Sequence, residues 1–169
     1  MPFTPPSVDD VLSSLAGRFG SLESSVHRGQ TRVVAPAALS FDLLSWLKDR
    51  GFDLLVDVTC VDYLDYRDAT HRYGLVYLLA STATNQRLTV RVFVDDPDPT
   101  VRSVVPLWEG ANWLEREVWD LFGIRFAGHP DLRRLVMPEE FAAHPLRKDY
   151  PLQGRGERHN FPVITRDHS

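Results

Sequence analysis

The chain has 169 residues, 43% of them hydrophobic and 25% charged, with a net charge of −4. That length fits one domain with a real core, the composition excludes a disordered chain, and the charge offers no global attraction to nucleic acid or anionic lipid. Cys60 is the only cysteine, which excludes an intrachain disulfide, a Cys-x-x-Cys site and an iron–sulfur cluster held by this chain alone, since such clusters normally take four thiolates.

The opening Met1-Pro2-Phe3-Thr4-Pro5-Pro6 has no basic region followed by an apolar run, so no secretory signal is expected. Ser7 and Asp10 resemble a capping box, and Val8, Val11, Leu12, Leu15 and Phe19 keep helical spacing, predicting a helix near 8 to 17. Residues 25 to 34 read as a modest strand. Pro36 suits the first turn of a second helix whose face carries Leu39, Leu43, Trp46 and Leu47, and Gly51 ends it.

The period then changes to two. Phe52, Leu54, Val56, Val58 and Cys60 alternate with more polar residues, predicting a strand with one buried face and Cys60 within it. Residues 72 to 81 are apolar on both faces, as in a covered or central strand; Leu75 to Ala80, the most apolar run, is far short of a bilayer span. In the next strand Leu88, Val90, Val92 and Val94 point inward while Arg87, Thr89 and Arg91 point out. A Pro-rich loop at 95 to 99 precedes a short helix expected at about 100 to 108.

Asn112 reads as an N-cap with Glu115 reaching back to it, and Gly123 falls where a left-handed C-terminal residue belongs, so a helix is expected over 113 to 122. Leu114, Val118 and Leu121 form its expected core stripe. Trp113, Arg116, Glu117 and Asp120 share a second stripe, and Glu115, Trp119 and Phe122 a third. Tryptophan and arginine away from the main apolar stripe are the residue types of binding hot spots. Trp113, Arg116, Glu117, Trp119 and Asp120 are therefore candidate partner contacts. Residues 124 to 126 and 133 to 137 read as short extended pieces. Prolines at 138, 145, 151 and 162 then mark an extended arm over 138 to 169, appended to a globular domain over 1 to 137. From residue 133 onward the chain has a net charge of +2, against −6 before it. The fold class expected is α+β: a two-layer sandwich of one mixed sheet and helices, followed by the arm.

Catalytic constellations are missing. Glu115 and Glu117 point in different directions on one helix. His129, His144, Glu139 and Glu140 lack metal-site spacing. No phosphate-binding glycine loop, dinucleotide fingerprint or nucleophile elbow occurs. The reading is a chain with no catalytic, cofactor-binding or metal-binding residues and a surface built to hold other proteins.

Two blocks carry a resemblance. The first is Glu115-Arg116-Glu117, Asp120-Leu121-Phe122-Gly123-Ile124, Phe126 and Gly128-His129-Pro130-Asp131-Leu132-Arg133-Arg134-Leu135. The second is His144-Pro145-Leu146-Arg147-Lys148-Asp149-Tyr150-Pro151-Leu152. Together they resemble the signature of the 30-kilodalton-type subunit, lettered C, of proton-pumping NADH:quinone oxidoreductase, respiratory complex I. Val61-Asp62-Tyr63 and Val90-Arg91-Val92 fit the same pattern, over roughly residues 30 to 152.

The resemblance implies a cofactor-free subunit of the peripheral arm, at the cytoplasmic face of the cell membrane and attached to it only through the complex. It would contact the large hydrogenase-like subunit, lettered D, and the iron–sulfur subunits, lettered B and I. FMN and iron–sulfur clusters would belong to partner subunits, and electron transfer from NADH to quinone to the assembly. His129, Asp131, Arg133 and Arg134 join the candidate contacts on this ground. So do His144, Arg147, Lys148, Asp149 and Tyr150 on the arm. The related subunit of a membrane-bound hydrogenase or ferredoxin-linked complex is the alternative, and a free-standing nucleic-acid- or ligand-binding domain a further one.

Overall fold

A computed structural model describes residues 8 to 156. The Ser7 cap and the arm beyond residue 156 lie outside the described residues. Helix α1 (Val8–Phe19) is followed by strands β1 (Ser24–His27) and β2 (Gln30–Ala35), helix α2 (Ser40–Asp49), and strands β3 (Leu54–Asp62), β4 (Tyr73–Ala80) and β5 (Arg87–Val94). Strand β6 (Thr100–Arg102), helix α3 (Ala111–Phe122) and strand β7 (Arg125–Ala127) complete the order. The five strands β1 to β5 form one mixed sheet in the order β1-β2-β5-β4-β3, with β2 and β5 parallel and every other pair antiparallel. This is the expected α+β arrangement.

The core lies between the helices and one face of the sheet. Val33, Leu75, Tyr77, Val90 and Val92 project into it from the strands, and Val11, Leu43, Leu44, Leu47 and Val118 meet them from α1, α2 and α3. All of them are enclosed. Among the described residues no helix packs on the opposite sheet face. β4 is an inner strand, and its Val76 and Leu78 stay half-buried on that open side. No helix among the described residues is long and apolar enough to cross a membrane.

Four local expectations are corrected. The strand expected over 25 to 34 is a hairpin of two, turning at Arg28 and Gly29, both in the left-handed region. In β3 the register slips between Leu55 and Asp57. The extra residue of such a bulge shifts the alternation, so Leu55, Val58 and Cys60 face the core while Leu54 and Val56 are exposed. Residues 100 to 102 form a strand rather than the start of a helix, because a partner more than twenty residues later, β7, pairs with them in parallel. Residues 133 to 137 do not extend as a strand; they bend around α3.

Candidate partner-docking site

Helix α3 carries most of the first motif. It begins one residue before the expected cap, after Gly110, with no side-chain cap bond. Glu115 does not reach back to the N-terminus. It turns inward, where it accepts hydrogen bonds from the Ser103 hydroxyl and the Val104 N–H, both at 2.6 Å. Burial drives its carboxyl up from 4.5 to about 7, against those two hydrogen bonds, which favour the charged form. His129 is enclosed beside it. Its Nδ1 accepts from the Asp131 N–H, which leaves Nε2 to carry the proton, 3.2 Å from the Asn112 carbonyl and 4.0 Å from Glu115.

The C-terminal end of α3 follows the expectation. Gly123 takes φ +77° and its N–H closes on the Trp119 carbonyl. The remaining carbonyls of the last turn would be orphaned, and the arm satisfies them. His144 Nδ1 donates to Asp120 O, the Leu146 N–H to Leu121 O, and Arg147 Nε to Phe122 O, at 2.9, 3.0 and 2.6 Å. Burial and the neighbouring arginines hold the His144 pKa below its ordinary value. Glycine is required here for a second reason. A Cβ on Gly123 would stand 2.6 Å from both His144 Cδ2 and Arg147 Nη2.

Asp120 anchors the bend. Its fully enclosed carboxylate accepts the N–H groups of Leu135, Val136 and Met137 and an Arg134 Nη1 donor at 2.5 Å. Burial opposes its charge, but these four donors win and hold its pKa below the ordinary value. Arg134 also donates to Ala143 O, and Arg116 donates to the carbonyls of Arg133 and Arg134. A second anchor lies farther along the arm. The Lys148 N–H donates to the enclosed Asp62 carboxylate, and Asp149 pairs with Arg72 at 2.7 Å. The Arg72 guanidinium lowers the Asp149 pKa, and the same guanidinium reaches Asp96 and Asp62. Phe141 is buried and packs edge-on against Tyr150.

The stripe expected to face a partner is therefore divided. Arg116 and Asp120 hold residues 133 to 137, and Arg134, His144 and Arg147 hold the arm, onto α3 of their own chain. The core face of the helix is Ala111, Glu115, Val118 and Phe122, with Leu114 and Leu121 only half-buried, which corrects the expected stripe. Trp113 and Glu117 are left at the surface. Trp119 is half-buried with its ring edge-on to His144, and Asp131 pairs with Arg133 on the exposed loop at 2.9 Å. Around them Leu135, Val136, Leu146 and Leu152 are exposed, with Trp113 at 59% and Val136 at 57%. These exposed apolar side chains stand on a platform, a segment bonded to α3 at many points.

Asp62 and Arg72 were not among the candidates. Asp62 falls on an inward position of β3, and a carboxylate on a buried strand face was the available signal. Chemically, the platform offers adhesion. Ser103 beside Glu115 is 1% exposed and closed to any substrate. Among the described residues no group of three or more His, Cys, Asp or Glu is placed to hold a metal ion.

Residues 33–156 match the family model "Respiratory-chain NADH dehydrogenase, 30 Kd subunit". The C-type NADH-quinone oxidoreductase subunit of Trichlorobacter lovleyi is 45% identical over 148 residues, covering 86% of this chain and 90% of that protein. The subunit of the same name from Laribacter hongkongensis is 40% identical over 166 residues, covering 92% and 85%. Among solved structures, a trypsin-resistant fragment of Nqo5 superimposes with a TM-score of 0.68 at 37% identity, covering 74% of this chain and 98% of the fragment. A chain of the membrane-bound sulfane sulfur reductase, an archaeal respiratory membrane complex, shares the fold with a TM-score of 0.75 at 21% identity, covering 94% and 93%.

Proposed function

Because the chain belongs to the family of the 30 Kd subunit of respiratory-chain NADH dehydrogenase, we propose that it is a cofactor-free assembly subunit of the peripheral arm of NADH:quinone oxidoreductase. It sits at the cytoplasmic face of the membrane and reaches the membrane only through the complex. Its neighbours are the large hydrogenase-like subunit and the two iron–sulfur subunits lettered B and I. NADH oxidation at FMN, electron transfer through iron–sulfur clusters, quinone reduction and the coupled proton translocation are carried out by those partners and the rest of the assembly.

The observation that carries this reading is the platform itself. Asp120, Arg134 and Arg147 are spent on holding the following chain to α3, which leaves Trp113, Leu135, Val136 and Leu146 exposed. An exposed aromatic on a rigid support is the form of an interface anchor, because little conformational entropy is lost on binding. The arm residues Lys148, Asp149 and Tyr150 are further contacts under this proposal.

Mild-detergent extraction followed by identification of the co-eluting chains tests the proposal. Co-elution with flavin- and iron–sulfur-bearing subunits and NADH:quinone activity is expected. A Trp113→Glu variant should leave the free chain's melting temperature unchanged while lowering its content in the complex. Elution alone, or with a hydrogenase that lacks NADH-oxidising subunits, would refute it.

A further inference from the structure

The open face of the sheet holds a second built feature. The Tyr63 and Phe93 rings lie across the bare backbone of Gly74. A Cβ there would stand 2.8 Å from Tyr63 Cε2 and 3.0 Å from Phe93 Cε1. Arg91 lies beside both rings, its guanidinium carbon 5.9 Å from the Tyr63 centroid and 5.2 Å from that of Phe93, with an Nη2 donor on the Tyr63 hydroxyl. His71 stacks on Phe93 at 5.4 Å, and Tyr66, 71% exposed, stands edge-on to Tyr63. Tyr63 and Arg91, from the blocks Val61-Asp62-Tyr63 and Val90-Arg91-Val92 that fit the family pattern, thus meet on the open face, while Asp62 between them in the chain turns inward to the arm.

Among the described residues no carboxylate lies within 4.0 Å of Arg91, Arg32 or Arg87. Asp95, the nearby acid on the same strand end, is occupied by His71 and by the Arg72 N–H. Arg32 lies two strands from Val76, and its partner across the sheet is Thr89. Between the two arginines runs a shallow groove of about 280 Å³ with an aliphatic floor of Val61, Val76 and Leu78. The chain is acidic overall, yet this face points arginines outward from three positions on β2 and β5.

We infer that this face docks an acidic, aliphatic segment of a neighbouring subunit, with one of its carboxylates received by Arg91. The inference rests on the proposed place of the chain in a multisubunit complex. An arginine fixed by two rings and a hydroxyl loses little freedom when it pairs, and its planar fork suits a carboxylate. The aliphatic floor excludes water around that pair, which strengthens it. The bare upper face of β4 would be covered in the same step, which accounts for apolar residues on both sides of that strand.

A photoreactive benzoylphenylalanine in place of Thr89, in a chain that keeps Arg91, tests this in the intact complex. The expected product is a cross-link to another subunit, at a segment with an Asp or Glu among aliphatic residues. Arg91→Glu should lower the chain's content in the complex by about tenfold or more, and a Lys in place of the cross-linked acid should restore it. Arg91→Gln gives the same direction with less perturbation. The cross-link decides the matter however the charge variants fold. A chain present in the complex but not linked at Thr89, a linked segment without a carboxylate, or protection of Tyr66 from iodination in the free chain by inorganic phosphate or ATP would overturn the inference. Absence of the chain from the complex would overturn the proposed function instead.

Discussion

Replacing Glu115 with Gln should stabilise the chain in a pH-dependent way. The side chain is 0% exposed, and burial lifts its pKa from 4.5 to about 7. The native state therefore keeps a proton that the unfolded chain releases between those two values. Stability falls as pH rises across this window and levels off above it. At about 1.4 kcal/mol for each pH unit of that window, the loss approaches ~3 kcal/mol. Gln fills the same space without a charge. Its oxygen can keep the Val104 N–H, while its NH₂ reverses the bond to Ser103, at a cost of about 1 kcal/mol. Urea unfolding of the full chain, followed by tryptophan fluorescence at about pH 4.5 and about pH 8, measures the difference. The variant should equal or fall slightly below the parent at the lower pH and exceed it by roughly 2 kcal/mol at the higher. Carboxylates with lowered pKa values, such as Asp120, cancel in this comparison. A difference that does not change with pH, or a variant that is worse at high pH, would refute the argument that desolvation outweighs the two hydrogen bonds.

Asp120→Ala leaves three backbone N–H groups and Arg134 without their acceptor and should cost about 3–5 kcal/mol in urea unfolding, with trypsin cutting after Arg134 far sooner than in the parent. Both Asp120 and Asp149 have pKa values below the ordinary 3.8. Their contribution is present above that value and lost as pH falls through the lowered one, so proteolysis of the arm should accelerate below about pH 4. Gly123→Ala forces a Cβ into the left-handed region and against His144 and Arg147; a loss of at least ~1–2 kcal/mol is expected, read as a lower denaturation midpoint. Cys60 is buried with its thiol pushed up to about 12, so iodoacetamide at about pH 8 should leave the native chain unlabelled and alkylate it fully in urea.

The motif helix shows how far a sequence reading extends. The i, i+3, i+4 rule placed Trp113, Arg116, Glu117 and Asp120 on one stripe, and Gly123 fixed where the helix ends. It did not reveal that the following chain folds back over half of that stripe, because three of the four donors to Asp120 are backbone N–H groups at Leu135 to Met137, which carry no sequence signal, and the fourth, Arg134, is fourteen residues away. Glu115 misled because its partners come from another element. Its spacing from Asn112 fits a capping box, but Ser103 and Val104, brought close by the parallel pairing of β6 with β7, compete for the carboxylate and win. The bulge in β3 was equally hidden, since Leu54, Leu55 and Val56 are all apolar and local alternation cannot show which of them faces inward.

What the sequence alone determined was the class of fold, the family, and the types of residue gathered in the two motif blocks. Hydrophobic period, glycine position and residue identity are local properties and are written in the chain. The tertiary structure decided which charges are consumed within the molecule and which surfaces remain open. That choice depends on contacts between residues as far apart as Asp62 and Lys148. Their burial follows from how the whole chain packs, so no window of sequence contains it.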